Sequence, residues 1–141
     1  MERKIDRKAL VRAAFEAREF AYAPYSGFKV GAALLAKNGT VYKGCNVECA
    51  TFSPTNCAER TALFKAVSEG VREFDAIAIV GAKAEGPDDA LITSPCGVCR
   101  QMLYEFGGKD LLVIMAKSEE DRQEMTLGEL LPLGFGPEKI L

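Results

Sequence analysis

The sequence predicts an α/β fold in which helices cover both faces of a mixed sheet. Two apolar runs joined by Asn38-Gly39 read as an antiparallel hairpin. Residues 76 to 80, Ala-Ile-Ala-Ile-Val, and 111 to 116, Leu-Leu-Val-Ile-Met-Ala, are apolar throughout. Such runs fit strands buried on both faces, as in a parallel sheet packed between helices. The segments around them carry helical periodicity.

Each element has its own signal. Leu10, Ala13, Ala14, Ala17 and Ala21 recur at intervals of three and four, with Arg12, Glu16 and Glu19 facing away, which predicts an opening helix. Ala23-Pro24-Tyr25-Ser26-Gly27 stops it, since proline cannot continue a helix. The hairpin strands are predicted at Phe28 to Ala36 and Val41 to Val47. A second helix spans 57 to 69, with Ala58, Ala62, Ala66 and Val67 on one face and Gly70 as its stop. Then come a strand from Phe74 to Val80 and a polar loop from Gly81 to Thr93 around Gly86-Pro87-Asp88-Asp89. A third helix runs from Gly97 to Phe106, ended by Gly107-Gly108, and a strand follows from Leu111 to Ala116. Thr126-Leu127-Gly128-Glu129 predicts a capping box opening a short last helix, closed by Pro132. A hairpin followed by two right-handed crossovers places the second and third helix N-termini just beyond strand ends.

Composition narrows the function. At 141 residues, without repeat or linker, the chain reads as one domain over 1–141, able to bury roughly 68% of its unfolded surface. A net charge of −2 and a pI near 5.3, with no basic run, argue against DNA or RNA as partner. No apolar stretch approaches the ~18 residues of a membrane helix, and the start lacks a secretory segment, so residence in the cytoplasm is expected. Histidine is absent, which removes Ser-His-Asp and Cys-His hydrolases and every imidazole metal site. Five cysteines, an odd count in a reducing compartment, argue against a disulfide framework.

The chemistry concentrates in Cys57-Ala58-Glu59-Arg60 and Pro95-Cys96-Gly97-Val98-Cys99. Cys-x-x-Cys alone is weak evidence: it could be half a structural zinc site, a redox pair or two buried thiols. A closed four-thiolate site would need Cys45 or Cys49 to join. Cys57, Cys96 and Cys99 together offer three ligands to one zinc and leave a fourth tetrahedral position open, the mark of a catalytic ion. A metal-bound water there becomes a nucleophile near neutral pH, and Glu59 is placed to move its protons. The spacing matches the Cys-x-Glu … Pro-Cys-x-x-Cys pattern, the all-cysteine form of the zinc deaminase signature. A non-catalytic zinc module, the reading from a different class, has no need of Glu59.

Four segments carry a more specific resemblance: Ala23-Pro24-Tyr25-Ser26-Gly27-Phe28-Lys29-Val30-Gly31-Ala32-Ala33-Leu34, Gly44-Cys45-Asn46-Val47-Glu48, Asn56-Cys57-Ala58-Glu59-Arg60-Thr61-Ala62 and Pro95-Cys96-Gly97-Val98-Cys99-Arg100-Gln101. In this order they closely resemble the small homotetrameric cytidine deaminases, over almost the full length. That resemblance implies a three-layer α/β/α sandwich with a mixed five-stranded sheet and one Zn²⁺ per chain. It implies hydrolysis of cytidine and deoxycytidine to uridine and deoxyuridine with release of ammonia, in pyrimidine salvage. Zinc-bound hydroxide would be the nucleophile and Glu59 the proton shuttle. Arg60 would donate to ligand sulfurs, and Asn46 and Glu48 would hold the ribose hydroxyls. Phe28 and Ala58 would meet the pyrimidine, with Ala50, Phe52 and Phe135 reaching a neighbouring subunit's site.

The chain departs from its relatives at Phe52, where many carry tyrosine, and at Cys49, where asparagine is frequent. Cys49 is expected to be a spectator, Cys45 a small buried hydrophobe, Arg100 a surface or interface residue, and Gln101 an aid to orienting the site. Within the class, the alternative substrate is an aminoacyl-nucleoside antibiotic such as blasticidin S.

Overall fold

The computed structural model describes residues 4–83 and 92–141. Five strands form one sheet: β1 (Phe28–Ala36), β2 (Val41–Cys45), β3 (Phe74–Lys83), β4 (Leu112–Ala116) and β5 (Arg122–Thr126). Their spatial order is β2-β1-β3-β4-β5. β1 lies antiparallel to both β2 and β3, β3 runs parallel to β4, and β5 returns antiparallel to β4. Helix α1 (Arg7–Arg18) covers one face, while α2 (Ala58–Ser68), α3 (Gly97–Gly107) and the short α4 (Leu127–Leu130) cover the other. The result is the expected α/β sandwich.

Alternation along β3 shows why both faces had to be apolar. Ile77 and Ile79 enter the core shared with Ala62, Leu63 and Leu103 of α2 and α3. Ala76, Ala78 and Val80 point the other way, beneath Leu10, Val11 and Ala14 of α1. Burying each large aliphatic side chain contributes about 1.5–3 kcal/mol, so β3 anchors both layers. Gly44 of β2 lets α2 come close: a Cβ there would sit 2.6 Å from the Ala58 carbonyl oxygen. The first turn of α2 is thereby pressed onto the sheet.

The hairpin turn forms as Asn-Gly predicts, with Gly39 at φ 93° and the Asn38 side chain accepting from Thr40 N at 2.9 Å. The capping box is complete: Glu129 N donates to Thr126 Oγ1 at 3.3 Å, and Thr126 N donates to Glu129 Oε1 at 2.9 Å.

Other boundaries differ from expectation. The first helix ends at Arg18, leaving Ala21 outside, because Tyr22 turns away to bridge Val47. For the same reason β2 stops at Cys45: Val47 pairs with Tyr22 and Asn56 rather than with β1. β3 runs three residues past Val80, since Phe28, Lys29 and Val30 pair with Lys83, Ala82 and Gly81. The predicted turn at Gly86-Pro87-Asp88-Asp89 lies outside the described residues. β5 has no counterpart among the elements read from residue patterns. Its Arg122-Gln123-Glu124 start is that of a half-exposed edge strand. Among the described residues, no helix is long and apolar enough to cross a membrane.

Candidate active site

Cys57 and Cys96 occupy the N-caps of α2 and α3, and Cys99 lies in the first turn of α3. Free backbone N–H groups and the positive ends of both helices favour thiolate there. The two helix starts converge: the sulfurs of Cys57, Cys96 and Cys99 all lie within 4.8 Å of one another, and the Cys57 and Cys96 sulfurs are 3.7 Å apart. Two sulfurs bound tetrahedrally at about 2.3 Å would stand about 3.8 Å apart, so the donor set fits zinc. Among the described residues no fourth ligand atom joins this cluster, and neither Cys45 nor Cys49 belongs to it.

Charge is already apportioned within the cluster. Cys57 is drawn down to about 5 by hydrogen bonding from the Cys99 thiol and from Arg60. Cys99, the donor in that pair and fully buried, is pushed up. Arg60 Nη2 donates to Cys57 Sγ at 3.4 Å, while its buried Nε has no partner. Cys99 N donates to Cys96 Sγ at 3.5 Å, a backbone contact that fixes the Cys96 side chain.

Glu59 stands in the first turn of α2 and is 4% exposed. Burial raises its carboxyl to about 7, with the Cys57 charge adding to the effect and the Cys99 thiol and Arg60 opposing it. A carboxyl near 7 can both accept and donate a proton at neutral pH.

A cavity of about 350 Å³ opens on this cluster, lined by Cys57, Cys96, Ala58 and Glu59 together with Phe28, Asn46 and Glu48. The Asn46 amide continues the hairpin where its backbone stops: Oδ1 accepts from Val30 N at 2.9 Å and Nδ2 donates to Phe28 O at 2.8 Å. One N–H of Nδ2 is left over. Glu48 accepts from Tyr25 N at 3.0 Å, Ser26 N at 3.1 Å and the Ser26 hydroxyl. That hydroxyl above all, with the two amides, holds Glu48 below the usual carboxylate range. A carboxylate offers about four acceptor positions, so one on Oε2 stays free.

Three candidates lie apart. Phe52 packs edge-on against Tyr25 with ring centroids 6.0 Å apart, bordering a second hollow of about 330 Å³ that shares Ser26, Glu48 and Thr55 with the first. Ala50 and Phe135 are exposed and line neither space. Gln101 Nε2 donates to Phe135 O at 2.7 Å, which fixes the loop without bringing the ring to this chain's cavity. Arg100 is no simple surface residue: it donates to the carbonyls of Pro95 and Leu130, each at 2.7 Å. Sequence reasoning missed Ser26, Thr55, Thr93 and Ser94, all on the cavity wall. Ser26 was legible only as part of a turn.

The family model described as "Cytidine and deoxycytidylate deaminase zinc-binding region" matches residues 4–115. The chain belongs to this deaminase family. Cytidine deaminases from Sporosarcina psychrophila and Halalkalibacterium halodurans are 50% and 49% identical to it over 136 residues. Each alignment covers 96% of this chain, with 96% and 98% of the respective relative. The crystal structure of cytidine deaminase from Burkholderia pseudomallei superposes with a TM-score of 0.83 at 47% identity, covering 93% of this chain and all of that one. The enzyme from Mycobacterium tuberculosis gives 0.80 at 38%, covering 94% and 99%. Membership makes the chain a hydrolase of the deaminase class, and its cysteine cluster meets the zinc-binding description of that family.

Proposed function

We propose that this deaminase hydrolyses cytidine and deoxycytidine to uridine and deoxyuridine, releasing ammonia, with one Zn²⁺ per chain. The carrying observation is the buried Glu59 carboxyl beside three convergent cysteines at the floor of a nucleoside-sized cavity. Cys57, Cys96 and Cys99 would hold the metal, which when bound acidifies water and so supplies a nucleophile near neutral pH. Arg60 offsets the negative charge of the three thiolates, which would otherwise weaken that acidity.

In the reaction the oxygen of water bonds to the ring carbon bearing the exocyclic amine, and that carbon–nitrogen bond breaks. Glu59 Oε takes one proton from the attacking water and passes it to the ring nitrogen, where it stays, then relays the second, from the hydroxyl so formed, to the departing amine. Its burial keeps the carboxyl near the working pH. Asn46 Nδ2 and Glu48 Oε2 each retain one hydrogen-bonding position for the sugar hydroxyls, which seats the base over Glu59. Phe28 and Ala58 pack against the pyrimidine. The net charge of −2 favours a free nucleoside over a polynucleotide.

Ala50, Phe52 and Phe135 project outward, which suits a homotetramer in which each site borrows residues from its neighbours. A salvage role in the cytoplasm accords with a free nucleoside substrate. Incubation of zinc-replete protein with cytidine, deoxycytidine and blasticidin S, followed by ultraviolet absorbance and ammonia release, tests the reading. Turnover of both nucleosides is expected; turnover of none would leave a zinc-stabilised interaction domain. Sedimentation tests the assembly, and a fully active monomer would refute shared sites.

A further inference from the structure

We propose that Arg100 is a positioning residue, locking the loop that carries Cys96 to the C-terminal part of the chain and so governing how long the cysteine site keeps its metal. The inference rests on the metal reading above. Residues 92–96 belong to no strand or helix, yet Cys96 must meet Cys57 across the cavity. Thr93 Oγ1 donates to Gly81 O at 3.4 Å and Cys99 N to Cys96 Sγ, but the tie from this loop to α4 is one guanidinium. Nε donates to Pro95 O at 2.7 Å, Nη2 lies 3.5 Å from Ser94 Oγ, and Nη1 donates to Leu130 O at 2.7 Å.

Pro95 is fully buried and has no N–H, so its carbonyl is the backbone group through which the residue before Cys96 can be tied. Leu130 ends α4, which is itself fastened by Leu127 N to Leu111 O at 2.8 Å and Gly128 N to Lys109 O at 2.9 Å. Arg100 therefore joins the loop before Cys96 to a firmly seated turn. Only arginine offers donors spread in a rigid fork; a lysine ammonium could satisfy one carbonyl but would not span both. Gln101, the next residue, touches the Phe135 carbonyl and leaves the Cys96 loop alone. It is the internal comparison.

The test loads parent, Arg100→Ala, Arg100→Lys, Gln101→Ala and Val11→Ala with zinc. Release to a chromogenic chelator is followed well below every melting temperature. Supports of metal ligands typically change affinity ten- to a hundredfold, so Arg100→Ala should release zinc about tenfold faster or more, with Arg100→Lys between it and the parent. Gln101→Ala should match the parent. Val11→Ala, a cavity under α1 on the opposite face, should lower the melting temperature and leave release unchanged. Parental release from Arg100→Ala would overturn the inference, as would equal acceleration in Val11→Ala. Should Arg100→Ala fail to fold, Arg100→Lys decides, and parental release from it would overturn the inference. A parent that binds no zinc would instead bring down the metal reading itself.

Discussion

Helices α2 and α3 open alike and contribute differently. Each has cysteine at its N-cap, set just beyond the sheet and aimed at the same point. Cys57 receives no capping bond within its own helix, and α2 follows it with a buried carboxyl and an arginine on its sulfur. Cys96 is capped by Cys99 N, and α3 follows with Arg100 and Gln101, both bonded to backbone carbonyls. On the proposed reading, one helix start carries proton and charge chemistry and the other carries placement. The same local device serves both because a helix N-terminus stabilises thiolate whatever comes next.

The comparison can be tested from both sides. Alanine at Cys57 or at Cys99 should abolish zinc binding and bring deamination to background, since two thiolates cannot hold a catalytic zinc. Metal analysis and activity on the purified variants check this, and a zinc-replete Cys99→Ala would break the symmetry claimed for the two helices. Glu48→Gln should cost about 1.5–3 kcal/mol, roughly 10- to 150-fold in kcat/KM, with most of the loss in KM, because it removes a charged acceptor from the sugar end. Steady-state kinetics on cytidine would reveal a kcat effect if the assignment were misplaced.

Gly44→Ala should destabilise by about 1–3 kcal/mol in urea denaturation, because its methyl group collides with the first turn of α2. Among the described residues no sheet glycine underlies α3 in this way, so crowding the sheet should perturb Glu59 more than Cys96. The smallest effect belongs to a region remote from both helices. Arg7 Nε bonds Glu124 at 2.8 Å and Arg122 Nε bonds it at 3.3 Å, tying α1 to β5. Burial pushes the Glu124 carboxyl up, but the two guanidinium groups outweigh it and hold it below its usual range. A carboxyl depressed on folding stabilises above its unfolded value and loses that contribution as pH falls through the folded one. Parent and Glu124→Gln should thus differ by at most ~1 kcal/mol at neutral pH, and their urea midpoints should converge below the normal carboxylate range. A constant gap down to strong acid would contradict the ion pair.

What could be read from the chain was what neighbouring residues decide. Asn38-Gly39, the doubly apolar β3 and the Thr126–Glu129 box are local signals, and the structure follows each. The three cysteines were equally readable, because spacing places them at helix starts. Misjudged boundaries trace to distant partners: α1 ends before Ala21 as Tyr22 turns to Val47, and Val47 leaves β2 to meet Tyr22 and Asn56. β5 escaped because an edge strand needs no apolar alternation. Arg100 read as a surface or interface residue, since nothing around it announces Leu130, thirty positions away. The Ser26 hydroxyl on Glu48 was hidden in the same way.

The most direct test replaces Glu59 with glutamine, which keeps the shape and removes the proton carrier. Zinc content should stay near one per chain while turnover of cytidine falls about 10²- to 10⁴-fold. Unchanged turnover in a zinc-replete Glu59→Gln protein would contradict the account.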